Sequence, residues 1–544
     1  LSFLNHHLRC GNSLIGAIDV SEYLPPGSQR EKQFKRAVAD LLLVADLTDS
    51  TISEVEQSQR LYEEAQKQLE PTKRRVNVDV ATYFINMNSR FLDQAIQYAY
   101  KDQGSLEPKN EVEKAHLQNY LRAQEISREK RFLHWELEFP EVWYTKRGRR
   151  INSGFDAVIG NPPYLIVSNY DVKSDTDYLK ESYLVSRGYK VDLYMYFVER
   201  GLKIAKQRGW FSQIIPNKFT LTISGRKLRT LLAKLDVVEL VNFGLEKVFE
   251  EALNYTCILT VRNDKPSGYL RYRKSDRTLD IEQEYDVPLD SLTEDGWALV
   301  PASSAKLNDR LDAVSDALNK ITKNIFAGIQ TGLDSVFVVE RPPAREESLY
   351  RPFYRSKDIY RYSQNLDCEF VLYPYKHDGR ILPETELKTF RVTYQRLKHH
   401  ERNIRARQWF GQNAEQLSGK WYGLMYFPNP ELFKGEKIIC PYLATRASFT
   451  LDENEAIFGV GAGYGIYLKG DRIFHLYVLA VLNSKLLHFR FSQVSPRFQS
   501  GHKFNEAYIS LLPIRRIFFT TPESQRKVQI EKLKKLYNEM LTHI

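Results

Sequence analysis

The sequence predicts an α/β fold that is interrupted by a helical insertion and followed by a mixed α+β domain. Three observations predict it. Between 151 and 265, apolar strand-like runs alternate with amphipathic helical stretches, the pattern of a doubly wound sheet. Between Glu31 and Lys130 the apolar residues recur at helical spacing instead. From about Lys265 the chain turns to polar, Pro-containing segments, and after Val339 to short strands and loops rich in Tyr, Arg and Lys. At 544 residues it is too long for one core, and the expected divisions are 1–20, 21–150, 151–265, a linker at 266–300, and 301–544.

In chain order, residues 1–18 read as a strand and a loop, turning at Gly11, Asn12 and Ser13. The chain begins at Leu1 as though within a domain, so it reads as a piece of a longer protein. Phe34, Val38, Leu41, Leu42 and Ala45 share a helical stripe, and Val55 to Leu69 forms a charged helix ending at Lys73, Arg74 and Arg75. His134, in the segment that returns the chain to the sheet, reads as a packed or hydrogen-bonded histidine. Lys146 to Arg150 is a basic, hairpin-like tip, as consistent with a solvated turn as with DNA backbone contact through Arg149 and Arg150. Phe155 to Gly160 is apolar enough for a buried strand. Helices over 193–206 and 228–235 then alternate with strands over 209–216, 237–241 and 254–261.

Beyond 300, a helix is expected over 307–321 and a strand over 336–339. Arg391 to Arg407 is the strongest basic segment, with Arg396, Lys398, Arg402 and Arg405 beside Tyr394 and Trp409; a charged helix face and a DNA contact explain it equally. A last amphipathic helix is expected from Val528 through Leu533, Leu536, Tyr537 and Met540.

Composition excludes several classes. No apolar run reaches membrane-spanning length and no signal-peptide pattern leads the chain, so a cytoplasmic protein without a membrane partner is expected. Cys10, Cys257, Cys368 and Cys440 are widely spaced and read as reduced, mostly core-filling thiols; no Cys/His cluster or HExxH suggests a metal. A net charge of +10, with 78 Lys and Arg against 68 Asp and Glu, suits either a solvated surface or a polyanion-binding groove.

The chemistry concentrates where the apolar strand stops, at Asn161, Pro162, Pro163 and Tyr164. Two prolines cannot extend a ladder, so a rigid loop follows a strand's C-terminal end, where open α/β sheets bind ligands. The exocyclic amine of adenine is a weak nucleophile because its lone pair is delocalised. Hydrogen bonds accepted from both amine hydrogens pull the nitrogen towards tetrahedral geometry. The Asn161 side-chain oxygen and the Pro162 carbonyl can accept them, held in line by the prolines. Tyr164 offers a ring on which a flipped base can stack.

Asn161 to Tyr164 resembles the catalytic motif of the amino-methylating DNA methyltransferases, and the surrounding order resembles their gamma class, which modifies adenine. The resemblance implies a Rossmann-like methyltransferase sheet, of which this chain holds the catalytic half, and a C-terminal target-recognition domain. Leu8 to Ala17 is similar to the motif after the cofactor strands, which implies that Asn12 meets the adenine of S-adenosylmethionine. Asp192 to Phe197 is similar to the next motif, placing Phe197 in the methionine pocket, and Pro163 is implied beside the cofactor. Pro216 to Phe219 matches the following loop, with Lys218 a candidate DNA contact, and Phe249 matches an aromatic on the far side of the flipped base. The runs 328–334, 355–359, 482–485 and 512–515 resemble recognition domains of single-chain restriction-modification and phage-exclusion enzymes. Double-stranded DNA is the implied partner, together with a nuclease domain or subunit. The Gly-rich cofactor turn of that family is expected before residue 1, and Gly459 to Gly465 reads as a loop of the recognition domain.

Two rival readings stand beside this one. Asp378, Glu386 and Lys388 have a spacing found in metal nucleases, but such spacings are common by chance. Alternatively, the chain binds DNA specifically without chemistry of its own.

Overall fold

The computed structural model describes residues 7–47, 50–85, 97–99, 108–165, 173–188, 191–244, 246, 248–249, 255–495, 497–498, 501–515, 527–532 and 535. The chain divides into two compact units, Leu1–Leu299 and Val300–Ile544.

The first unit opens with three long helices, α1 (Gln29–Asp46), α2 (Ile52–Ala81) and α3 (Glu111–Glu129). Each starts where the sequence supplies a cap: the side chains of Ser28, Thr51 and Asn110 accept from the amides of Glu31, Glu54 and Glu113. Helix α2 runs on through Pro71, so Lys73, Arg74 and Arg75 lie inside it, not at its end as expected. Lys73 pairs with Glu138 at 2.8 Å, and Arg74 donates to the Ala99 carbonyl at 3.1 Å. Residues 8–20 form turns, in line with the loop expected at Gly11 to Ser13, while most of the strand expected before it lies outside the described residues. These turns lie along 131–135, where the Leu133 and Trp135 amides donate to the Ile15 and Ala17 carbonyls. The basic tip is a two-stranded hairpin, β1 (Tyr144–Thr145) and β2 (Gly148–Arg149), closed by Gly148 at φ 129°.

The main sheet uses β3 (Phe155–Gly160), then helix α4 (Leu193–Ile204), β4 (Ala205–Pro216), helix α5 (Arg226–Leu232), β5 (Asp236–Asn242), β6 (Thr256–Arg262), β7 (Tyr269–Ser275) and β8 (Ile281–Pro288). Its order is β3-β4-β6-β5-β7-β8, with β3/β4 and β5/β7 parallel and the other pairs antiparallel. The unit is therefore α/β, as expected, but on a mixed sheet, because β6 inserts antiparallel between β4 and β5. Residues 266–300, expected to be a linker, instead supply β7 and β8: Leu270 and Tyr272 point inward while Tyr269 and Arg271 are exposed. Helix α4 lies close on β4 because position 201 is glycine; a Cβ there would stand 2.5 Å from the Phe211 ring. One core joins this sheet to helices α1 and α2, through residues such as Phe34, Leu41, Leu69, Val198, Phe211 and Leu259.

In the second unit, the helix expected over 307–321 is α6 (Ala302–Ala313), followed by β9 (Ser315–Ala317) and a single helical turn. Then come β10 (Thr322–Ala327), β11 (Val338–Val339), β12 (Tyr350–Tyr354), β13 (Glu369–Leu372), α7 (Arg391–His399), α8 (Glu401–Arg405), α9 (Ala414–Ser418), β14 (Lys437–Pro441), β15 (Thr450–Asp452), β16 (Ile457–Phe458) and β17 (Gly463–Leu468). They form two four-stranded sheets, β10-β17-β14-β15 and β11-β13-β12-β16, consistent with a mixed α+β unit. Val336 and Phe337, expected in a strand, close a helical turn before β11. Lys437 and Asp452, cross-strand partners with fully buried side chains, pair at 2.5 Å. The glycines at 459–465 make a turn, with Gly461 at φ 91°, and begin β17. Most of the C-terminal stripe, Leu533, Leu536, Tyr537 and Met540, lies outside the described residues.

Candidate active site

The loop Asn161–Tyr164 leaves β3 at its C-terminal end, beside the parallel β4. The apolar character of β3 predicts a buried strand; among the described residues its one strand neighbour is β4, and on the other side Asp156 and Ala157 are exposed and Ile159 is 84% exposed.

Past Gly160, Asn161 and Pro163 are exposed while Pro162 is buried. Tyr164 is half-buried, and its hydroxyl lies 3.0 Å from the Ile214 carbonyl and 3.2 Å from the Asn161 side-chain oxygen. Burial raises the phenol to about 12, with Cys257 adding to it, so the ring keeps its proton at neutral pH. That proton serves one acceptor at a time, and the carbonyl is the nearer. The Tyr164 oxygen is then itself an acceptor, which is best matched by the Asn161 NH2; turning the amide by a half-rotation aims its oxygen outward. Phe249 stands against Tyr164, ring centroids 6.2 Å apart at 60°. The edge-to-face pair leaves less than the two stacking spacings of about 3.4 Å each that an intervening base occupies.

The loop is tied to α4, since the Leu193 amide donates to the Leu165 carbonyl at 2.7 Å. Asp192, which precedes this helix, is 3% exposed and pairs with Lys218 at 3.0 Å. Burial raises its carboxyl and Lys218 opposes the rise. Lys218, a candidate DNA contact from the sequence, is thus committed within the unit. Opposite Gly160, Gln213 is 6% exposed, and its side-chain oxygen is buried without a partner among the described residues. Neither Asp192 nor Gln213 stood out as a site residue. An acidic N-cap before an apolar helix and a polar residue at an inward strand position were the available signals.

Asn12 is half-buried, and its side-chain oxygen accepts from the Leu14 amide at 3.1 Å. Its segment is anchored on α4: the Leu14 carbonyl accepts from Arg200 at 2.8 Å and from the Tyr183 hydroxyl at 2.6 Å. Phe197, one turn before Arg200, is half-buried at the edge of the core. His134 is buried and hydrogen-bonded, as expected.

The other basic candidates are mostly engaged. Arg149 pairs with Asp19 at 2.9 Å and with buried Glu136 at 2.6 Å, and Arg150 donates to the Glu141 carbonyl at 3.2 Å. In the second unit Arg396 donates to the Ser335 carbonyl at 3.0 Å. Lys398 pairs with Glu401 at 2.7 Å, and Arg405 with Glu401 and Glu415. Arg402 is exposed. The nuclease-like spacing does not converge: Asp378 pairs with Arg380 at 2.5 Å and Glu386 with Lys376 at 2.9 Å. No cluster of three metal-ligating side chains occurs among the described residues, and none of their helices is long and apolar enough to cross a membrane.

Residues 65–249 match the family model described as Eco57I restriction-modification methylase, and residues 351–514 match that of the TaqI-like C-terminal specificity domain. The chain is 25% identical over 444 residues to the type II restriction enzyme and methyltransferase RM.Eco57I of Escherichia coli, covering 71% of this chain and 43% of that protein. It is 21% identical over 336 residues to the type II methyltransferase M.BstVI of Geobacillus stearothermophilus, covering 55% and 56%. It therefore spans about half the length of these relatives or less. Its fold is similar to that of the type IIL restriction-modification enzyme MmeI, solved in complex with DNA, at a TM-score of 0.52 and 12% identity over 95% of this chain and 72% of the other.

Proposed function

We propose that this chain, which carries an Eco57I restriction-modification methylase domain and a TaqI-like C-terminal specificity domain, methylates the exocyclic N6 of a flipped adenine in double-stranded DNA. The observation that carries the reading is the exposed Asn161 side chain on a loop held rigid by Pro162, Pro163 and the Tyr164 hydroxyl. Asn161 and the Pro162 carbonyl accept from the two amine hydrogens and localise the nitrogen lone pair. Tyr164 carries the base on its ring. Phe249 swings aside to admit the base and then covers its other face. The displaced amine proton passes to water; no buried base with a shifted pKa is needed.

S-adenosylmethionine is the methyl donor that this reading calls for, and Asn12, Phe197 and Pro163 are the residues that would hold it. Asn12 brings an amide, Phe197 a half-buried ring and Pro163 an exposed one, with the Asn12 segment anchored on the helix that bears Phe197. When bound, it supplies an electrophilic methyl group. The second unit supplies sequence recognition, as part of a restriction-modification or phage-defence system.

The test is transfer of a labelled methyl group to duplex DNA, followed by nucleoside analysis. The expected product is N6-methyl-2′-deoxyadenosine, with Asn161→Ala abolishing transfer and leaving DNA affinity largely intact. Label in N4-methylcytosine, or undiminished transfer by the variant, overturns the reading.

A further inference from the structure

Phe410 is 83% exposed, among the most exposed large apolar side chains described, and sits where an L residue is strained. It has φ 49° and Gly411 has φ 80°, so the two form the tip of a tight turn. Trp409 and Gln412 close that turn with two backbone hydrogen bonds, of 2.8 and 3.0 Å. A bulky ring held in the left-handed region on a solvent-facing tip costs stability and fills no core, so it points to an external use.

The tip stands on a rigid base. On its N-terminal side the buried Arg407 guanidinium donates to the carbonyls of Thr331, Ile404, Trp421 and Gly423. On its C-terminal side Asn413 and Gln416 form a reciprocal capping box at the start of α9. Trp409 braces the ring edge to face, centroids 5.1 Å apart.

The surroundings select the partner. Residues 391–420 hold six Lys and Arg besides the buried Arg407 against two Glu; Lys398 and Arg405 pair with those two Glu, and Arg391 and Arg402 are exposed. Gln408, Gly411 and Gln412 are exposed around the ring, so the tip is Phe410 with its Trp409 brace among polar groups, not the broad apolar patch of a protein interface. Amide side chains suit base edges, and a basic surround suits phosphates.

We propose that Phe410 is a wedge that enters between adjacent base pairs of duplex DNA and unstacks them when this unit binds. The proposal rests on reading residues 300–544 as a DNA specificity unit. It adds to that reading a mode of contact at a stated residue, one that makes deformability of the target step part of the recognised signal.

The probe is a set of short duplexes enriched from a random-sequence pool by the 544-residue chain. Permanganate reactivity reports unstacked thymines, and a filter assay reports affinity. Phe410→Ala is expected to abolish the enhanced reactivity and weaken binding by about tenfold. Phe410→Trp is expected to retain both, with the melting transition of each variant confirming that it folds. Wild-type reactivity and affinity in Phe410→Ala overturn the wedge while leaving adenine methylation standing. A change in sedimentation with no effect on DNA assigns the tip to contact between copies and also overturns it. If the wild-type chain enriches no duplex at all, the specificity reading falls and the wedge with it.

Discussion

The Lys218 ammonium lies 3.0 Å from the carboxylate of Asp192, a side chain only 5% exposed at the head of the helix that receives the Asn161–Tyr164 loop. Two roles divide at this pair. If Lys218 neutralises a buried charge, Lys218→Met strands the carboxylate and destabilises the chain by about 1–3 kcal/mol, less than a fully buried pair because Lys218 is partly exposed. The Lys218→Met/Asp192→Asn double variant should recover much of that loss in urea unfolding. The logarithmic salt dependence of DNA affinity should keep its slope. A slope shallower by about one phosphate contact would return Lys218 to the DNA surface.

The same pair explains what the sequence could and could not disclose. The Asn-Pro-Pro-Tyr loop was legible because its meaning is local: two prolines after an apolar run end a strand wherever they occur. The hairpin at Tyr144–Arg149 was legible for the same reason. The partners of the cations were not. Arg396 finds the Ser335 carbonyl 61 residues away, and Arg149 finds Asp19 across 130 residues, so free-looking charges proved to be internal ties. Strand β7 alternates apolar and charged residues at Leu270 to Arg273, yet the polar, Pro-containing stretch around it had the look of a linker.

His134 provides a pH signature. Its Nδ1 accepts from the Ala17 amide at 3.1 Å, so the proton resides on Nε2, which meets the Asn77 side-chain oxygen at 2.8 Å. Burial, with Lys73 and Arg200 adding to it, depresses the imidazole to about 3. The unfolded chain takes up this proton near pH 6.5 and the folded chain does not, so the contribution is fully present above about 6.5 and lost as pH falls towards about 3. In chemical unfolding from pH 7 to 4.5, wild type should lose up to about 1.4 kcal/mol per pH unit more than His134→Gln, whose amide can serve both partners. Parallel stability curves would show that His134 charges freely in the fold.

Tyr164 is asked to do two things, and two substitutions separate them. Its hydroxyl ties the loop to the Ile214 carbonyl and faces the Asn161 amide, while its ring meets Phe249. Phe at this position keeps the stacking surface and loses the tie. One lost hydrogen bond of about 0.5–1.5 kcal/mol, felt through the placement of Asn161, should lower kcat about 2–10-fold with KM little changed. Alanine removes the ring as well, and stacking worth about 1–3 kcal/mol per base should cost a further ~5–160-fold in kcat/KM. Steady-state methylation of an enriched duplex by both variants checks the order. Equal loss from Phe and Ala would place the whole contribution in the hydroxyl, making Tyr164 a brace for Asn161 and leaving the base to stack elsewhere. A fully active Tyr164→Ala would remove both roles, because neither the tie to Ile214 nor the ring can then matter to transfer.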